Sequence, residues 1–222
     1  MKTKEKETLL FATLCIATFV IWTLAVLNVD VKPLGVNETN IGFSSLNCWF
    51  HQQTGVHMKI YSITDWLGLI PIAACVCFCI FGLIQWMKRH SIRKVDYDMI
   101  LLGVYFIVVI SGYLLFEMIP VNYRPVLING MAEVSYPSST TLLVLTVMPA
   151  CIFQINRRVG NQSVRKILNI LIAAFSIFMV LGRLISGVHW LTDIVGAIIL
   201  STGMFSLYKG AVLMNDKRKR RQ

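Results

Sequence analysis

Six apolar stretches, each near the length of a membrane-crossing helix, dominate this 222-residue chain. They lie near residues 8–28, 64–87, 98–117, 141–155 with its flanks, 167–182 and 190–213. About 20 apolar residues cross a hydrocarbon core of roughly 30 Å, and a backbone cut off from water has to satisfy its own N–H and C=O groups. Each run is therefore predicted to be a helix, and the expected fold class is all-α: a six-transmembrane-helix bundle with both termini cytoplasmic. Composition excludes an ordinary soluble domain, with 56% hydrophobic residues, 14% charged residues and a mean hydropathy of +0.66. No internal repeat or linker divides residues 1–222, which read as a single integral membrane domain. The first run follows "MKTKEKE", a basic start like that of a signal peptide. Its apolar part is too long for one, so a retained anchor is expected.

Charge orients the bundle. Lys2, Lys4 and Lys6 precede the first run; Lys88, Arg89, Arg93 and Lys94 follow the second; Arg157, Arg158, Arg165 and Lys166 follow the fourth; residues 215–222 form a basic tail. A six-helix path puts all four segments on one side, and the excess of Lys and Arg makes that side cytoplasmic. The net charge of +10 is then a topology signal that meets anionic inner-leaflet lipid, and no nucleic-acid partner is expected. Residues 29–63 are expected as a long outer interfacial loop, anchored at the headgroup level by Trp49, Phe50 and Trp66. Cys15, Cys75, Cys77, Cys79 and Cys151 read as small core or lipid-facing residues, because "CVCFC" spreads three thiols around a helix instead of converging them on one metal, and Cys48 alone is expected on the outer side.

On this topology the ionisable and hydroxyl residues inside apolar sequence gather on the outer side. They are Glu117, Arg124, the run Ser138, Ser139 and Thr140, then Arg183, His189 and Asp193. Such groups persist at membrane depth only where they face protein or a wet cavity. His189 and Asp193 are four apart and share a face if helical, so the carboxylate can accept one imidazole N–H and leave the other nitrogen free for attack. Arg124 and Arg183 are planar donors suited to phosphate oxygens, and "YPSSTT" offers a helix N-terminus with hydroxyls as an anion seat.

At these residues the chain resembles the type 2 phosphatidic acid phosphatase superfamily, membrane and vanadium-haloperoxidase-like enzymes with the motifs K-x6-RP, PSGH and SR-x5-H-x3-D. Here they read "EMIPVNYRP", "PSST" and "GRLISGVHWLTD". The resemblance implies a phosphohistidine enzyme on lipid phosphates: His189 as nucleophile, Asp193 as its orienting partner, Arg124 and Arg183 as the phosphate clamp, with Ser138 and Ser139 beside them. It implies no cofactor and no metal, and the Lys and Arg asymmetry predicts an extracytoplasmic site in the cell membrane.

Four positions depart from those motifs. Glu117 stands at the phosphate-binding Lys, Ser139 at the Gly, Thr140 at the His that protonates the leaving group, and Gly182 at the Ser. General acid catalysis is worth ~10²- to 10⁴-fold, and Thr140 is no acid at neutral pH. A diphosphate substrate, whose leaving group is already good, is one way to keep turnover. Glu117 acting as the acid near Glu133 is another. His51 and His57 are weaker substitutes, and a divalent cation on Glu117, Glu133 and Asp193 is a third route. The expected function is hydrolysis of a polyprenyl diphosphate or other lipid phosphate; the alternative is a catalytically silent relative that binds lipid phosphates as sensor or carrier.

Overall fold

The computed structural model describes residues 4–220, so Lys2 and Arg221 of the terminal basic runs lie outside the described residues. Eight α-helices follow one another: α1 Lys4–Asn28, α2 Ser44–Thr54, α3 Met58–Leu67, α4 Leu69–Arg89, α5 Tyr97–Met118, α6 Ser139–Arg158, α7 Gln162–Ile185 and α8 Leu191–Lys219. Six helical stretches are long and apolar enough to cross a membrane, with α3 and α4 acting as one stretch, Met58–Arg89. The chain is a multi-pass membrane protein.

Burial separates the centre of the bundle from its lipid-facing ring. The core runs along α5, α6 and α8, where Leu102, Phe106, Val144, Val147, Met148, Tyr208 and Val212 interlock with Met179 of α7. α1 lies along α8. Cβ atoms at Gly203 and Gly210 would press on Cys15, Ile16 and Leu9 of α1, so these glycines set how closely the two helices approach. Ile72, Val76, Ile80, Ile107, Ile167, Ile170 and Ile177 point away from the protein. Apolar side chains exposed in this way suit lipid as solvent.

Within residues 29–63 the chain forms α2 and begins α3, which bends into α4 at Gly68. The basic segment 215–222 begins inside α8, which continues to Lys219. Trp49 and Trp66 remain among the more exposed side chains, as interfacial anchors are. Cys77 and Cys79 are exposed, Cys151 is buried, and all the cysteines are free.

At the Arg158 end, ion pairs tie four helices together. Arg157 bonds Asp98 (3.1 Å) and Asp216 (2.7 and 3.2 Å). Arg158 bonds Gln154 (2.9 Å), Asp96 (3.2 Å) and Asp98 (2.9 Å). Arg89 also pairs with Asp96 (2.7 Å). Partial burial raises the Asp96 pKa, but hydrogen bonds from Arg89, Gln85 and Arg158 and the charge of Arg89 outweigh it and hold the carboxyl below its usual range.

Candidate functional site

The opposite end holds the residues singled out above. His189 lies in the short turn between α7 and α8, followed by Trp190 at the N-terminal cap position of α8. Asp193 sits in the first turn, where its Oδ2 accepts the Trp190 N–H (3.0 Å) and its Oδ1 accepts from Asn122 Nδ2 (3.1 Å). A carboxylate there also suits the positive end of the helix dipole. The expectation that His189 and Asp193 share a helical face is corrected: the helix begins after His189. Their Nδ1–Oδ2 separation is 3.7 Å, which is an ion-pair distance and too long for a hydrogen bond.

His189 is 3% exposed, and neither ring nitrogen has a hydrogen-bond partner. Burial pushes its pKa down to about 4, and the positive charges of Arg124 and Arg183 push the same way against the opposing effect of Asp193. The imidazole is therefore neutral at physiological pH. Both arginines act on His189 electrostatically, so the groups sought by spacing are neighbours in space.

Arg124 and Arg183 are 8% and 1% exposed. Arg124 Nε lies 3.1 Å from Glu133 Oε2 but is misaligned for a hydrogen bond, and its Nη1 is also unpartnered. Arg183 donates through Nη2 to Asp65 Oδ1 (2.9 Å) and to Thr140 Oγ1, while its Nε and Nη1 have no partner. Buried guanidinium N–H groups are rarely left unanswered, because desolvating a donor without a replacement bond is costly. Unspent donors around a neutral imidazole make a seat for an oxyanion.

Thr140 lies at the start of α6 and accepts from Arg183; a guanidinium can only donate, so the threonine proton is directed elsewhere. Ser139 lines the cavities on both sides of this helix end. The Ser138 hydroxyl donates to Thr141 (3.0 Å) and its N–H to the Asp193 carbonyl (3.2 Å). Glu117 is exposed at the end of α5, beside a small cavity lined also by Tyr113, Ser135 and Ser139. No group of three His, Cys, Asp or Glu side chains suited to a metal ion occurs among the described residues, so Glu117, Glu133 and Asp193 are not brought together as one.

Two contributors were not legible from spacing. Tyr61 of α3 lies between the arginines, with Arg183 4.9 Å and Arg124 5.6 Å from its ring centroid. Asp65, one turn on, supplies the carboxylate to Arg183. His51 also comes close: its Nε2 donates to the Gly187 carbonyl (3.1 Å) and its ring packs against Trp190. His57 bonds the Thr54 carbonyl within its own segment (2.9 Å).

From Asp65 and Thr140 a cavity of about 520 Å³ runs between α4, α5 and α6, lined by Ile72, Phe106, Val109, Leu143 and Val147 among others. It joins a charged mouth to an apolar interior.

Comparison with known proteins agrees with the fold. The family model described as PAP2 superfamily matches residues 72–217. The crystal structure of a transmembrane PAP2 type phosphatidylglycerolphosphate phosphatase from Bacillus subtilis superposes with a TM-score of 0.65 at 16% identity, covering 91% of this chain and 96% of that one. No curated protein matches the sequence.

Proposed function

Since this chain belongs to the PAP2 superfamily, we propose that it is a lipid phosphatase that removes phosphate from a polyprenyl diphosphate or another lipid phosphate through a phosphohistidine. What carries this reading is the neutral, buried His189 with free ring nitrogens beside two buried guanidiniums whose N–H groups are unspent. The apolar cavity that opens at Asp65 and Thr140 suits a substrate with a hydrocarbon chain.

In the proposed reaction the phosphoryl oxygens rest on Arg124 and Arg183. His189 Nε2 attacks phosphorus with its lone pair, and the bond to the leaving oxygen breaks, its electron pair leaving with that oxygen. Nδ1 keeps its proton, facing Asp193, which stabilises the charged ring without accepting the proton. Water then attacks phosphorus, the P–Nε2 bond breaks with its electron pair returning to the ring, and a water proton passes to the departing phosphate or to solvent, which restores the neutral imidazole. The arginines act where negative charge grows on the transferring group.

Thr140 gives the leaving group no proton, so a diphosphate, which expels a phosphate monoester, is the favoured substrate class. Glu117 is the one remaining candidate acid for a monophosphate, and His51 is disfavoured by its bond to Gly187. A silent lipid-phosphate binder is the second reading, favoured by the engagement of Thr140 with Arg183 at the position of the family's acid. Its Lys and Arg distribution argues that the site faces away from the cytoplasm, in the cell membrane.

Phosphate release by the purified protein from paired polyprenyl mono- and diphosphates tests the reading. Release from the diphosphate at a higher rate is expected. Vanadate binding without release from either substrate would select the silent binder.

A further inference from the structure

The arginine pair needs support that the family motifs do not supply here. Arg124 and Arg183 are two like charges sharing one buried site, and their mutual repulsion drives them apart unless something fixes both. Glu133 flanks Arg124 and Thr140 meets Arg183, but what touches both arginines comes from α3. The Tyr61 ring offers a π-face to both guanidiniums, and Asp65, four residues on and so on the same helical face, holds Nη2 of Arg183.

A second observation explains how α3 gets there. Gly182, which stands where the family motif has Ser, is buried, and a Cβ on it would come within 2.7 Å of Thr64 Cγ2 and 3.7 Å of Ile60 Cγ2. Thr64 is itself 0% exposed. The missing side chain beside Arg183 is thus the space that α3 occupies. At the next turn the fit recurs: a Cβ on Gly187 would collide with the Gly55 carbonyl, and His57 N–H bonds the Ser186 carbonyl (2.9 Å). Both Gly55 and Gly187 have positive φ, at 68° and 69°, which suits residues without Cβ in such a close approach.

We infer that Tyr61 and Asp65 are the positioning residues of the arginine pair, and that Gly182 is glycine because α3 docks against it. Tyr61 and Asp65 act through Arg124 and Arg183 on the oxyanion; they are not catalytic residues. The inference rests on the proposed oxyanion-binding reading of the site.

Orthovanadate, which mimics a transferring phosphoryl group, is the probe. Its affinity for the purified full-length protein is measured by titration calorimetry, alongside thermal melting and the split between kcat and KM. Tyr61→Leu and Asp65→Asn are each expected to weaken vanadate binding and raise KM by about tenfold, while Tyr61→Phe, which keeps the ring, stays within about twofold of wild type. Asp65→Glu should recover part of the loss. Asp65 is on the rim, with its side chain 56% exposed, so its variants report even if Tyr61→Leu does not fold. Gly182→Ser should reproduce the weakened binding by lifting α3. Wild-type vanadate affinity in Asp65→Asn, or equal loss in Tyr61→Phe and Tyr61→Leu, would overturn the inference. No vanadate binding by the wild-type protein would instead overturn the oxyanion reading beneath it.

Discussion

Each end of the bundle carries a pair of arginines, and the pairs are treated in opposite ways. At one end every nitrogen of the Arg157 and Arg158 guanidiniums meets an acceptor on Asp96, Asp98, Asp216 or Gln154. At the other, Arg124 and Arg183 are more deeply buried yet leave N–H groups unanswered beside an imidazole with no partner. The difference separates structure from function. Answered arginines staple helix ends, while unanswered ones store binding capacity that a ligand has to complete.

The comparison breaks if the two pairs respond alike to substitution. Arg183→Ala should lower kcat/KM by about 10³-fold, as expected for losing a charged donor aimed at the transition state. Arg158→Ala should leave kcat/KM within about twofold while lowering thermal stability, because its partners lie far from the chemistry. Assaying both variants on a lipid diphosphate, with melting curves, decides it. Equal catalytic losses would remove the distinction.

A smaller effect, of about 10²-fold, is expected from Thr140→His on a lipid monophosphate, with a much weaker gain on the diphosphate. The ratio of the two rates is the measurement. A uniform change in both would mean that position 140 does not govern the leaving group.

The pH profile sharpens the same contrast. An imidazole of ordinary pKa near 6.5 would be about nine-tenths protonated at pH 5.5, cutting kcat/KM by about tenfold. With His189 at about 4, kcat/KM corrected for substrate ionisation should hold to pH 5.5 and fall only through pH 4. A folded-state pKa below the unfolded one also means that the unfolded chain binds more protons in this window. His189 therefore contributes stability above pH 6.5 that is lost as pH falls toward 4. An acid limb centred near 6.5 would show that water reaches the ring.

The smallest effect belongs to the stapled end. Asp98 is 7% exposed and answers both arginines, so Asp98→Asn should cost about 1–2 kcal/mol, the arginines being partly solvated and still held by Asp96 and Asp216. Chemical or thermal unfolding in detergent measures it, and unchanged turnover per folded molecule is the expected companion result.

The spans were legible because lipid demands long, nearly continuous apolar runs, and the spacing of Arg183, His189 and Asp193 was legible because all three lie close in sequence across the turn between α7 and α8. The arrangement within that turn was not. Helical periodicity suggested a direct His189–Asp193 bond, whereas the helix starts at Leu191 and the Asp193 oxygens are taken up by the Trp190 N–H and by Asn122. Tyr61 and Asp65 escaped notice for another reason. They sit in a polar, aromatic stretch without a clear period, and Asp65 lies 118 residues from its partner Arg183. Gly182 read as a lost serine until Thr64 was seen against it.

The most direct test of the central claim is rapid quenching of the purified protein with a polyprenyl diphosphate bearing ³²P in its terminal phosphate. Label on the protein that is stable to alkali and labile to acid, present in wild type and absent from His189→Ala of unchanged melting temperature, is the predicted result. Label retained in His189→Ala, or steady hydrolysis by that variant at the wild-type rate, would contradict it.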